Sequence, residues 1–226
     1  MRHGTEEPAM KTLVLLASIA LAPTAFADEP ISMTPYATLY QVLSPVNKIA
    51  TYDHLVAIQR IESKNPAVRP ETIKIVIYAK SGAIVVPVAP TGEVKFPVSD
   101  ALRVENPGVE TNQPRGSLAL IVNVALKIGD GLRVPWSDID AGLGQVKKFY
   151  ADTQGSAAPN INGVEVHFAG GKEAMLTIEG KSERLLMADP AGRIIVTREM
   201  ASENPGAVLA FSRAPEFVVP YSDDKK

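Results

Sequence analysis

The chain has 226 residues, a formal net charge of −2 at neutral pH and no cysteine. A near-neutral chain without a basic run gives no electrostatic footing for nucleic acid, and the absence of thiols excludes disulfide staples and cysteine chemistry alike. Stability must come from packing, which a chain of this length can supply.

Residues 1–9 show no apolar pattern, and Met10-Lys11 then opens what reads as an export signal, with Met10 as the initiator. Lys11 supplies the positive charge, residues 12–22 the apolar run, and Ala25 and Ala27 the small residues read by signal peptidase. The apolar run is shorter than the roughly 20 residues that span a bilayer, so residues 1–27 are expected to be cleaved at Ala27-Asp28, placing the mature protein in the periplasm or outside the cell. No cysteine follows the cleavage position for lipid attachment, and no later segment is long and apolar enough to cross a membrane.

The mature chain reads as α+β, built from two tandem related units at residues 28–130 and 131–226. Each is expected to be a mainly antiparallel sheet preceded by a helical segment, with a pair of all-β sandwiches as the alternative. In the first unit, Thr34-Pro35 looks like a helix cap followed by proline at the first helical position, and Pro45 should end or kink that helix. Strands follow from β-branched alternation at 54–62, 72–79, 83–88, 93–97 and 117–128. The boundary falls near 129–135. Ser137 then looks like a helix cap, and Ile139, Leu143, Val146 and Tyr150 form one apolar stripe at helical spacing. Gly142 and Gly144 count against that helix, and 151–163 reads as a loop. The second set of strands is expected at 164–169, 174–179, 184–188, 193–197 and 207–212, with 221–226 frayed.

Three landmarks recur in the same order in both units: Lys80-Ser81 and Lys181-Ser182, Pro90-Thr91-Gly92 and Pro190-Ala191-Gly192, and Glu-Asn-Pro-Gly ending at Gly108 and at Gly206. Collinear landmarks within one apolar pattern point to an internal duplication. The proline–glycine pairs suit turns in which proline pre-sets φ. In the repeated tetrapeptide, Asn106-Pro107-Gly108 and Asn204-Pro205-Gly206 read as turns closed by an Asx-type side-chain bond, because the residue before proline is pushed out of the α region. The competing reading makes Glu105 and Glu203 a pseudo-symmetric pair of carboxylates for a cation, but calcium wants six to eight oxygens from clustered ligands, and the acids here are sparse.

Other chemistry is thin. "VEVHF" at 164–168 puts Glu165 and His167 on one strand face, where they could serve a hydrolytic site or simply be the exposed polar face of a half-buried strand. Asp138 and Asp140 could pair as acid and base, yet helix starts favour aspartate through the dipole. No His-x-x-x-His spacing, phosphate loop or Gly-x-Ser-x-Gly elbow is present, so no metal and no cofactor is expected. Trp136, Tyr150, Phe149, Tyr52 and Tyr36 fall in or near the helical stretches, either as a ligand-binding aromatic face or, more ordinarily, as core packing. The expected function is a non-catalytic binding or scaffolding protein of the bacterial envelope whose partner is an envelope protein or a glycan. The alternatives are an envelope glycan or peptide hydrolase using Glu105, Glu165 and Glu203, and an inhibitor or immunity-type protein.

Overall fold

Two stretches of chain run from a short strand straight into a helix, and each opens one α+β unit. The structure is a computed structural model, and it describes residues 32–154, 159–170 and 173–223. The expected signal peptide and the last residues of the tail lie outside them. The described chain divides into two compact units between Val124 and Ala125.

The first unit begins with β1 (Ser32–Pro35) and α1 (Tyr36–Leu43), followed by α2 (Pro45–Ile49) and β2 (Leu55–Ser63). A short 3-10 turn at Pro70–Thr72 leads into β3 (Ile75–Ala79) and β4 (Gly82–Val86). The chain then forms α3 (Asp100–Glu105), β5 (Gly108–Thr111) and β6 (Leu118–Leu126). One sheet has the order β1-β5-β3-β4, and β2 pairs with β6 in another. All pairings in the four-stranded sheet are antiparallel. Its inner face alternates Ile75, Ile77 and Ala79 into a core with Tyr36, Leu43, Val86, Phe96 and Val109.

The second unit opens with β7 (Arg133–Pro135) and α4 (Trp136–Gln154). It continues with β8 (Ile161–His167), β9 (Met175–Glu179), β10 (Arg184–Met187), β11 (Arg193–Thr197), α5 (Arg198–Ser202), β12 (Val208–Phe211) and β13 (Phe217–Ser222). Its sheets have the orders β10-β9-β12-β7 and β11-β8-β13, again antiparallel. The α4 stripe reads as its spacing requires: Ile139, Leu143, Val146 and Tyr150 are all buried. Burying each aliphatic member stabilises by roughly 1.5–3 kcal/mol over leaving it in water, which outweighs the cost of about 1 kcal/mol for a helical glycine.

The four-stranded sheets of the two units repeat one topology strand for strand, while the other sheet is β2-β6 in the first unit and β11-β8-β13 in the second. β1, β5, β3 and β4 answer to β7, β12, β9 and β10. Registers match as well: Ile77 faces Val109 as Ile178 faces Leu209, and Val76 faces Val85 as Thr177 faces Leu185. The helix entries are anchored alike, Tyr36 N–H on the Pro107 carbonyl at 2.9 Å and Trp136 N–H on the Ala207 carbonyl at 2.8 Å. Both proline–glycine turns close through Gly92 N–H on Ala89 and Gly192 N–H on Asp189. Gly92 and Gly192 take φ of 84° and 79°, the left-handed region that glycine enters without steric cost.

Several local expectations need correction. Thr34 and Pro35 belong to β1, so helix α1 starts only at Tyr36. Ser137 lies inside α4, whose first residue is Trp136, because β7 runs directly into the helix and the Ala207 carbonyl takes the leading N–H. Pro45 ends α1 but also starts α2, where its missing N–H is no loss. The strand expected at 93–97 shrinks to bridges at Glu93 and Val94. The loop expected at 151–163 is shortened from both ends, and Tyr221-Ser222 is held in β13 rather than frayed. The short helices α3 and α5 were not expected. They are set by side-chain caps, Ser99 accepting from Leu102 N–H and Thr197 from Met200 N–H.

Candidate functional site

The repeated Glu-Asn-Pro-Gly marks the exit from α3 and from α5, but it makes two different turns. Asn106 caps α3 in the left-handed conformation, with φ 53° and ψ 52°, and β5 starts two positions on at Gly108. The pre-proline bias is thus overruled here, since asparagine tolerates this region better than other side chains. Asn204 is not left-handed; Gly206 is, with φ 76°, and β12 starts only at Val208. The second exit is therefore longer by Pro205 and Gly206.

Neither asparagine closes a local Asx turn. Asn106 Oδ1 accepts the Ala37 N–H at 2.9 Å, across the start of α1. Asn204, almost fully buried, instead accepts from the Ser182 N–H and hydroxyl, both at 2.9 Å. Its side chain also fills the space beside Gly180, where a Cβ would lie 2.7 Å from that of Asn204. In the first unit it is Glu105 that reaches the matching hairpin, accepting the Lys80 N–H. Two shared landmarks, Lys-Ser and Glu-Asn-Pro-Gly, thus recur because they touch each other. Glu203 is exposed, with only a 3.9 Å ion pair to Arg184.

Glu165 overturns the expectation of an exposed polar strand face. It is 1% exposed. β8 is the central strand of its sheet, and both of its faces are buried, so alternation there does not separate core from solvent. His167 Nε2 lies 2.8 Å from Glu165 Oε1, but neither atom has a well-directed hydrogen-bond partner. His167 stacks on Phe217 with ring centroids 4.2 Å apart. Arg193 lies across the pair, 3.8 Å from Glu165 and 2.9 Å from Asp189. Burial of Asp189 pulls its carboxyl up, but the Arg193 N–H and guanidinium and the Ala191 N–H together hold it below the usual range. Glu165 and Glu203 sit on different elements and share no partner. Among the described residues, no group of three or more potential ligands could hold a metal ion.

The aromatic candidates separate. Tyr36 is fully buried, its hydroxyl donating to the Pro97 carbonyl and accepting the Ser99 N–H. Tyr150 and Phe149 are core, and burial pushes the Tyr150 phenol up. Tyr52 and Trp136 stay half-buried, and of the two Trp136 lines a cavity of about 460 Å³ with Asp140, Arg198, Ser202, Pro205 and Gly206. Asp140 and Arg198 form an ion pair at 2.9 Å.

The outward sheet faces carry apolar side chains that the strand alternation did not single out. Met33, Tyr78 and Val85 are exposed on the first four-stranded sheet, and Met175, Leu185 and Met187 on the second. Val85 and Leu185 hold the same register position on the corresponding edge strands β4 and β10, at 70% and 59% exposure. The signal was available: "AIVV" at 83–86 and "LLM" at 185–187 are apolar at consecutive positions, so one face must look outward. Compared with known proteins, the chain matches no family model, and no curated protein or solved structure matches it. Among the described residues, no helix is long and apolar enough to cross a membrane.

Proposed function

We propose that this is an exported bacterial envelope protein that binds rather than catalyses, docking a partner protein on its outward sheet faces. The observation that carries this is the paired exposure of Val85 and Leu185 on edge strands at one end of each sheet. Exposed apolar clusters mark interaction surfaces. An edge strand adds unpaired backbone groups to which an extended segment can bond. The duplication doubles the surface, and linked weak sites bind more tightly than either alone.

Site-specific photo-cross-linking in cells tests this, with the reactive residue at position 85 or 185 and at the exposed Lys147 of α4 as control. The reading expects a discrete adduct from positions 85 and 185, absent at 147 and lost in the Val85→Glu, Leu185→Glu double variant, on a protein whose N-terminus is Asp28. Equal labelling from all three positions, or an intact residue 1–27 segment on the recovered protein, overturns it.

A further inference from the structure

We infer that the cavity at the start of α4 binds a neutral, hydroxyl-rich ring ligand, a sugar unit of a glycan, against Trp136 and the Asp140–Arg198 pair. This site is separate from the sheet faces and does not depend on them.

The starts of α1 and α4 are equivalent places that are finished differently. In the first unit the start of α1 is closed by the chain itself. Asn106 takes the Ala37 N–H, Tyr36 is fully buried, and Tyr40 donates to Asp100 with the Arg103 guanidinium 5.4 Å from its ring centre. In the second unit the same backbone anchor is kept, from Trp136 to Ala207. Its cap is gone, because Asn204 has turned to Ser182 and Pro205 and Gly206 lengthen the exit. Trp136 and Asp140 stand where Tyr36 and Tyr40 stand in the first unit, and the space between helix and turn is open.

The lining selects the ligand. Arg198 and Asp140, the charged side chains of the lining, offset each other. An anion therefore meets no net positive side-chain charge and has only the helix N-terminus to attract it. What remains is a half-exposed ion pair presenting donors and acceptors side by side, the Ser202 hydroxyl, and an indole. A sugar ring matches these with its hydroxyls and its apolar face. The volume falls in the range of small-molecule sites and holds roughly one or two rings.

Trp136 is the only tryptophan, so its emission reports this cavity directly. The mature protein is titrated with chitotetraose, cellotetraose and maltotetraose, and separately with sodium phosphate. The expected result is a saturable change with at least one oligosaccharide and none with phosphate. Arg198→Met and Asp140→Asn should each weaken binding about tenfold or more, as loss of a charged hydrogen-bond partner does. Asp140→Asn nearly preserves shape, so it keeps the test valid if Arg198→Met unfolds. No saturable response at millimolar sugar, a response to phosphate alone, or unchanged affinity in Asp140→Asn overturns the inference, while cross-linking at positions 85 and 185 is read independently.

Discussion

Glycine and alanine scans at the two asparagines should give opposite orders of stability. At position 106 the backbone is left-handed. Asn106→Ala loses one hydrogen bond, worth about 0.5–1.5 kcal/mol, and forces alanine into a region that costs an L-residue roughly 1–2 kcal/mol. Asn106→Gly loses the same bond without that strain, so it should be the milder change by about 1 kcal/mol. At position 204 the order reverses. Both substitutions remove the bonds to Ser182 in a buried site, at about 1–3 kcal/mol for the pair. With no left-handed backbone to relieve, glycine adds about 0.5–1 kcal/mol of chain entropy. Urea unfolding followed by far-ultraviolet circular dichroism measures all four, and Trp136 emission reports the second unit. If glycine is better than alanine at both positions, or worse at both, the two copies share one conformation and the reasoning fails.

Three further outcomes follow from other places in the fold. Gly144→Ala should stabilise by up to about 1 kcal/mol, since a Cβ there meets nothing within 4 Å on a helix, while Gly163→Ala should destabilise by about 1–3 kcal/mol, because its Cβ would meet the Val196 carbonyl at 2.3 Å; thermal melting of the two variants checks both signs. Glu165→Ala should cost several times more than Glu203→Gln in a urea titration, since one empties a fully buried site in the central strand β8 and the other alters a 61% exposed side chain. Asp189 is held ionised, so its contribution is present above the ordinary carboxylate range and is lost as pH falls through its depressed value; Asp189→Asn should flatten the acid limb of a stability–pH profile below about pH 4 and leave neutral behaviour nearly parallel to the parent.

What could be read from the chain was whatever its local periods dictate. The α4 stripe is spaced for one helix face, and Ile139, Leu143, Val146 and Tyr150 all reach the core. The repeated proline–glycine turns and Lys-Ser hairpins mark corresponding places because each is set within a few residues. Non-local pairings were out of reach. Asn106 bonds Ala37 and Asn204 bonds Ser182, so one tetrapeptide carries two roles that depend on how soon the next strand begins. Glu165 was misplaced for a related reason: alternation tells which residues share a face, not whether a second layer covers it. The Asp140–Arg198 pair joins two helices, one of them capped by a lone threonine that carries little signal.

The four-stranded sheet and the helix it feeds are used twice, with the exit beside the helix closed in the first unit and open in the second. Amide hydrogen exchange at Ala37, Ser137 and Ser182 tests this most directly, in the parent protein and in Asn106→Ala and Asn204→Ala. Loss of the Asn106 side chain should deprotect Ala37, and loss of the Asn204 side chain should deprotect Ser182 while leaving Ser137 unchanged. Deprotection of Ser137 in Asn204→Ala would mean that both asparagines cap their helices in the same way, and the open cavity at Trp136 would have no basis.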